Sequence, residues 1–482
     1  MEINPAVTFK HDRSIIYAKR PKVLIVGAGL AGLTLGMLLH KAGIPFEIYE
    51  RAAVVKPLGS AMYFNCTTAN LFRQCGIYDE FVSLGKYVSS IKMCNEDREV
   101  DFSMDFGGHD ALYGANGYII ARPQVHDLLT RQIPKERIHY GAKVATTETN
   151  DIGVSIRFTD GSEVKGDILV GADGAYSAVR KGLYAKLKDE GKLPPSDDLP
   201  LPFTTVCVLA QTRPLTPEEF PDVAQEESQF RNFIATDKMY SWSTLTTAQN
   251  TVCWGSILFL DEESSKEDKF YSNSDWGQEA AMAMCEEVKD FPIIGGGDKK
   301  LTLKDLMDLT PSGQFSKVML EEKVFETWYS GRTVLVGDAC HKLNPAGGVG
   351  AANAIHDVIE LANRINGLPF RPTVNDIEDA FKAFKSERIG WVTKAFENSK
   401  VFRTMVGQST SSKITRFLVK HTPQWVMLKV ERRQFIHRPQ VAFLPLHEDK
   451  GTVATAPQAS LAVKAPQKKM HADSVEHSSA VI

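Results

Sequence analysis

One glycine-rich junction constrains this chain more than any other feature. Gly27-Ala28-Gly29-Leu30-Ala31-Gly32 follows the apolar run Val23–Val26 and opens a helical stretch, Leu30–Lys41, that ends at Gly43. Phe46–Tyr49 then reads as a second strand, with Glu50 at its end. Strand, glycine turn, helix and strand is the sequence form of a Rossmann unit. Gly27 allows a tight turn off the strand, Gly29 lets backbone approach a pyrophosphate, and Gly32 lets the helix lie against the sheet. The helix start adds free N–H groups and a positive dipole end for phosphates. Glu50 stands where a carboxylate accepts hydrogen bonds from a ribose. Three glycines alone would also fit an unliganded turn. The flanking strand, the helix and the acid favour a dinucleotide, with FAD and NAD undistinguished.

At 482 residues the chain exceeds one compact core, so two or more lobes are expected. A net charge of −3, with no basic stripe interleaved with aromatics, removes the long-range reason to expect nucleic acid. Seven scattered cysteines form no CxxC pair, so a disulfide framework and a metal site are both poorly supported. Met1–Arg20 lacks the apolar core of a secretory signal, and no run approaches the roughly 18 apolar residues of a spanning helix. The expectation is an intracellular protein, soluble or peripherally held at a membrane.

Further along, Arg122–Gln132 reads as an amphipathic helix, and short alternating strands occupy 143–172. Residues 203–260 carry β-like runs of a different texture, which predicts a second lobe built on a sheet. Helices are expected over 275–289, 300–308, 351–365 and most of 378–432, with a strand at Thr333–Val336. The expected division is an extension (1–20), a discontinuous dinucleotide domain (21–95, 115–200 and 315–375), a substrate domain (96–114 and 201–314) and a helical region (376–440). Residues 441–482 are expected to form an extended, disordered tail, on an Ala-, Pro-, Ser- and Lys-rich composition.

Two more segments carry chemistry. In Gly166–Arg180 a buried strand ends in Ala172-Asp173-Gly174, where Asp173 either shapes a ligand turn or caps the next helix. In Gly337-Asp338-Ala339-Cys340-His341 a strand delivers a carboxylate at its C-terminal end, where open α/β sheets bind ligands. Pro345, Gly348, Gly350 and Ala351 then open a helix whose N-terminus can face the electron-rich edge of a flavin. Asp338 suits the ribityl chain, and His341 suits holding the loop together.

In order and spacing over 22–365, these three segments resemble the single-component (group A) FAD-dependent monooxygenases, with their FAD fingerprint, "DG" and "GD" segments. Arg122, in Ala121-Arg122-Pro123-Gln124-Val125, matches that family's arginine near the flavin chain. Pro21–Ala61 and Arg438–Gly451 resemble the fungal epoxidases and aromatic hydroxylases of meroterpenoid and indole-diterpene secondary metabolism. The resemblance implies an α/β fold: a Rossmann-type FAD-binding domain with an inserted β-sheet substrate domain, aromatic-hydroxylase-like, plus C-terminal helices. It implies FAD held by Gly27, Gly29, Gly32, Glu50, Arg51, Gly59, Ala61, Arg122, Asp173, Asp338, Pro345, Gly348, Gly350 and Ala351. It further implies transient NADPH or NADH, O2, and a C4a-hydroperoxyflavin that hydroxylates or epoxidises an aromatic, polyketide or prenylated molecule. The absence of a GxSxG elbow and of metal-ligand spacing agrees with that chemistry. One departure is Gly348-Val349-Gly350-Ala351-Ala352-Asn353, where the family has Gly-Gln-Gly-x-Asn: the polar side chain is missing and the asparagine displaced by one. An FAD enzyme that only moves hydride, and a non-catalytic binding protein of the same fold, are the competing readings.

Tyr240 and Trp242 share one face of a strand, so Tyr240 is the candidate catalytic side chain; ordinary core packing is the alternative. Residues 413–433 mix apolar and basic side chains, which suits either an anionic membrane surface or packing against the flavin domain.

Overall fold

The computed structural model describes residues 19–54, 61–201, 203–235, 238–260, 278–345 and 348–466. The chain begins with β1 (Val23–Val26), α1 (Leu30–Lys41), β2 (Phe46–Glu50) and β3 (Ala61–Phe64). It continues through β4 (Ser90–Cys94), β5 (Val100–Asp105), α2 (His109–Tyr113), β6 (Tyr118–Ala121), α3 (Arg122–Thr130) and β7 (Ile138–Tyr140). After β8 (Ile168–Gly171) and α4 (Ala178–Asp189) come β9 (Phe203–Gln211), β10 (Phe230–Ile234), β11 (Tyr240–Thr246) and β12 (Val252–Phe259). Helices α5 (Gln278–Val288) and α6 (Leu303–Asp308) precede β13 (Ser316–Glu321), β14 (Tyr329–Ser330) and β15 (Thr333–Leu335). The last helices are α7 (Gly350–Gly367), α8 (Val374–Val406), α9 (Thr410–His421) and α10 (Gln424–Phe435).

A four-residue strand that is apolar throughout, like β1, fits only a sheet covered on both faces. β1 lies inside a six-stranded sheet ordered β14-β15-β8-β1-β2-β7, parallel except for the edge strand β14. Gly171 pairs with Val26 on one side and Leu335 on the other, so the three motif-bearing strands end level with one another. One large core joins this sheet to α1, α7 and the first half of α8, where Ile377, Phe381 and Phe384 are buried.

The second sheet has seven strands, β13-β9-β12-β11-β10-β4-β5. One face is covered by α5 and α6, with Val208, Trp242 and Trp254 against Ala281, Val288 and Leu303. Elsewhere on the sheet, Met93, Ile234 and Phe259 meet Met405 and Val406 at the far end of α8. That 33-residue helix spans about 50 Å and joins the two lobes. It starts sharply because Thr373 and Asp376 form a reciprocal capping box.

Three expected boundaries are corrected. β4, placed by sequence in the dinucleotide domain, pairs in parallel with β10 and belongs to the second sheet. β13, assigned with 315–375, pairs with β9 in the same sheet. Residues 441–466 are not disordered: Val441, Val453 and Ser460 are buried, and Val453 N–H donates to the Leu112 carbonyl at 2.9 Å. Composition misled there because the segment is held by backbone and buried polar contacts rather than by a periodic apolar face. Of the extension read over 1–20 only Lys19 and Arg20 are described, and 467–482 lie outside the described residues.

Candidate functional site

The glycine junction closes by steric necessity. Gly27 has φ +104°, and a Cβ there would stand 2.5 Å from the Ala172 carbonyl oxygen of the DG segment. A Cβ on Gly32 would lie 1.9 Å from the Gly27 carbonyl oxygen. Gly29 differs: among the described residues, its chain neighbours aside, no atom lies within 4 Å of its Cβ position, which leaves space for a ligand there. Gly337, at φ +59°, sits between Ala31 of α1 and Ala354 of α7, whose Cβ atoms are 3.7 and 3.3 Å from its own Cβ position. The 27–32 loop with its helix and the 337–338 turn, some three hundred residues apart in sequence, are therefore packed side by side.

The donors around this junction suit an extended dinucleotide. Gly29 before α1 and Val349 before α7 supply no side-chain cap, so the first-turn N–H groups of both helices are uncapped by them. Glu50 accepts the Ala28 and Ala52 N–H groups at 2.9 Å each, one on each carboxylate oxygen. This pins the loop and leaves lone pairs for ribose hydroxyls. Arg122 is exposed at the start of α3, and His126 one turn later lies 3.2 Å from the Ala28 carbonyl oxygen, which sets this helix against the loop. Ala61 opens β3 opposite Ala121, beside Arg122. Arg51 is exposed just beyond β2, and Gly59 lies outside the described residues. Asp338 is partly exposed and pairs with Lys342 at 2.7 Å. Pro345 is exposed, Gly348 has φ +61°, and Gly350 and Ala351 begin α7.

At two of the expected positions the side chains take the structural alternative. Asp173 commits its carboxylate to Ser177 Oγ (2.5 Å) and to the Ala178 and Val179 N–H groups (2.6 and 3.3 Å), so it shapes the turn before α4 as a cap. Tyr240 points to the helix-covered face of the second sheet, donates to Glu287 of α5 and meets the Phe291 ring at 5.5 Å. Trp242 is its neighbour there, donating to the Pro292 carbonyl at 2.8 Å and stacked on Phe233. Trp242 is buried in the core of that lobe, and Tyr240 is half-buried against it.

Sequence reasoning missed the network behind the GD turn. The buried Asp357 carboxylate accepts the Gly337 N–H at 2.9 Å, His341 Nε2 at 2.5 Å and Arg388 Nε at 2.8 Å. Burial alone would raise its pKa, but His341 and Arg388 hold it at about 2. Arg388 also donates to Asn353 Oδ1 at 2.9 Å, while Asn353 Nδ2 donates to the Val349 carbonyl. The displaced asparagine is thus part of this brace. Arg180 ties the DG and GD segments, donating to the Ala339 carbonyl at 2.9 Å and lying over Phe325. Tyr63, on a strand that sequence reading passed over, lies against Gly348, 3.4 Å from its Cβ position. Its hydroxyl is buried without a hydrogen-bond partner among the described residues, and burial pushes the phenol pKa up.

A separate cavity of about 280 Å³ lies at the opposite, N-terminal edge of the sheet, lined by Arg20, Asp167, Arg332 and Arg371 among others. Arg20 and Arg332 donate there to backbone carbonyls of Asn366 and Asp151, which closes the strand ends.

His356, beside Arg388, carries a pH dependence. Burial, then Arg388, lowers its pKa to about 3. The unfolded chain takes up this proton first, below about pH 6.5, so stability falls as pH drops from there and levels off near 3. The expected loss between pH 6.5 and 5 is about 2 kcal/mol. Urea midpoints at several pH values check it: His356→Gln should flatten the acid limb, and an unchanged slope would disprove the assignment.

A parallel sheet that brings the glycine junction and a strand-end carboxylate side by side, joined to a second, seven-stranded sheet, is the architecture of the flavin-dependent hydroxylases. The chain belongs to the family described as FAD binding domain, whose profile matches residues 20–273 and 299–367. Within it the chain is a single-component FAD-dependent monooxygenase. It is 25% identical over 440 residues, 89% of each chain, to the FAD-dependent monooxygenase ctvC of Aspergillus terreus. It is 28% identical over 349 residues to the Aurachin C monooxygenase/isomerase of Stigmatella aurantiaca, covering 70% of this chain and 79% of that one. Klebsiella pneumoniae HpxO, solved with FAD and uric acid, shares the fold with a TM-score of 0.68 at 16% identity, over 86% of this chain and 96% of its own.

Proposed function

We propose that this monooxygenase uses NADPH or NADH and O2 to hydroxylate or epoxidise a hydrophobic aromatic, polyketide or prenylated small molecule. The observation that carries this reading is the close packing of the 27–32 loop and α1 against the 337–338 turn, beside two helix starts that Gly29 and Val349 leave without a side-chain cap. FAD, when bound, would supply the redox chemistry that links nicotinamide oxidation to O2. The reaction balances as substrate, O2, NAD(P)H and a proton giving oxygenated product, water and NAD(P)+.

The protein binds, orients and excludes water. The first turn of α1 would hold the pyrophosphate of FAD, Glu50 its ribose and Asp338 its ribityl chain. The dipole and N–H groups at the first turn of α7 would favour the negative charge that the flavin gains on reduction. The Tyr63 ring lies against Gly348 while its hydroxyl lies beside Gly117, and that hydroxyl is assigned to an oxygen of the substrate. Its unpartnered hydroxyl supports that role, because buried polar groups otherwise find partners. Tyr63→Phe should retain FAD and raise KM about tenfold, the worth of one hydrogen bond. Unchanged KM and kcat would remove Tyr63 from the substrate site.

The names of the fungal and aurachin relatives support oxygen insertion over hydride transfer alone. The test feeds FAD-loaded enzyme with NADPH or NADH and a panel of prenylated and phenolic compounds under 18O2. Substrate-stimulated nicotinamide oxidation with one labelled oxygen in product is the expected result. Turnover with no label in any product would identify a hydride-transfer enzyme instead.

A further inference from the structure

The surface made by α9 and α10 turns apolar side chains outward. Ile414, Phe417 and Leu418 share one face of α9 at i, i+3, i+4 spacing, and Trp425 and Leu428 follow at i, i+3 on α10. Phe417 is 61% exposed and Trp425 63%. Single exposed apolar residues are ordinary, but five within two consecutive helices mark an interaction surface.

The inner faces of these helices already have partners. Arg416 donates to the Met405 and Gly407 carbonyls at 2.8 and 2.7 Å, and Val419 packs with Met93 and Met405. Phe435 is buried with Tyr113 and Val453, and Glu431 bonds to His109 of α2. Packing against the rest of the molecule is therefore satisfied from within, and the outward row serves something else.

Charge identifies the partner. Residues 410–435 contain six Lys and Arg against one acid, Glu431, in a chain whose net charge is −3. Lys413, Lys429, Arg432 and Arg433 are exposed. Lys429 lies 5.2 Å from the centre of the Trp425 ring, an amphipathic pairing suited to a headgroup layer. A second copy of the chain would bring like charges together, whereas phosphates would neutralise them. No helix among the described residues is long and apolar enough to cross a membrane, so the geometry is that of helices lying on a surface.

We propose that α9 and α10 dock this protein onto an anionic lipid surface, with Phe417 and Trp425 in the headgroup boundary and the surrounding cations among the phosphates. This inference rests on the surface alone and stands apart from the reaction assigned to the flavin cleft. The test is flotation of the FAD-loaded full chain with phosphatidylcholine vesicles, alone or with roughly one-third phosphatidylserine. Binding is expected to the anionic vesicles and to be lost at high salt. A Phe417→Asp, Trp425→Asp double variant should lower the bound fraction about tenfold while its flavin absorbance is unchanged. Failure of the wild-type protein to float, equal binding to neutral vesicles, or full binding by the double variant would each overturn the proposal. So would a dimer in light scattering that Phe417→Asp dissociates, which would make a second copy the partner.

Discussion

Gly32→Val is expected to purify without flavin. A Cβ at this position would lie 1.9 Å from the Gly27 carbonyl oxygen and 3.4 Å from Ile25 Cγ2, and the first of these is backbone with nowhere to move. Gly27 is itself at φ +104° and pressed on the Ala172 carbonyl, so the only relief is displacement of α1 from the sheet. The N–H groups at the helix start then leave the phosphate position. Such a displacement also strains the core, so a companion variant separates folding from binding. Gly29→Ala adds a methyl with no atom of the described residues, its chain neighbours aside, within 4 Å, on a backbone at φ −80° that any residue adopts. Its apoprotein should melt as wild type does, while its FAD affinity falls by about tenfold or more because the methyl occupies ligand space. The ratio of flavin to protein absorbance and thermal melts of apo and loaded protein check both. Full FAD occupancy in Gly29→Ala would show that the pyrophosphate lies elsewhere.

The second large effect comes from Asp357→Asn. Asp357 and Arg388 are both fully buried, and the carboxylate also accepts the Gly337 N–H and His341 Nε2. Neutralising one member leaves a buried, uncompensated guanidinium, which costs about 3–5 kcal/mol. The turn that carries Asp338 loses its brace at the same time, so FAD affinity falls together with stability. Asp357→Leu combined with Arg388→Leu removes the charge imbalance and should recover most of the stability, since apolar replacement of both partners of such a pair is often near neutral. It should not recover the affinity, because the Gly337 N–H still lacks an acceptor. Urea denaturation and FAD titration of the three proteins test this. A loss below about 1 kcal/mol in Asp357→Asn would mean that the pair is not a stabilising unit.

This brace explains why the altered glycine segment is compatible with a flavin site. The family pattern places a polar side chain at 349 and an asparagine at 352. Here Val349 offers only its carbonyl, to Asn353, and Asn353 is held by Arg388. The start of α7 is positioned from behind, by a buried cation on α8, rather than by side chains facing the ligand.

Much of the first lobe was legible because its constraints are local. Helix α1 matches its expected limits, and the strands that bear the DG and GD segments end level in the sheet. His341 as a loop brace was also legible, from a polar residue in a turn between apolar elements. Strands β4 and β13 were misassigned because membership of a sheet depends on partners more than a hundred residues away, and local alternation carries no such information. The buried Arg388–Asp357 pair was invisible for the same reason, since a charge within a helical pattern reads as solvent-facing until its partner is known.

The order of residues by itself determined the dinucleotide cradle. Glycine is required wherever φ is positive or a Cβ would strike backbone, and those demands are written at 27, 32 and 337. Only the tertiary structure decided which side of the second sheet each aromatic takes. Period-two alternation put Tyr240 and Trp242 on one face, but the two faces of a strand are equivalent until a layer covers one. Here α5 and α6 cover the face they occupy, which buries Trp242 and half-buries Tyr240 against the same core.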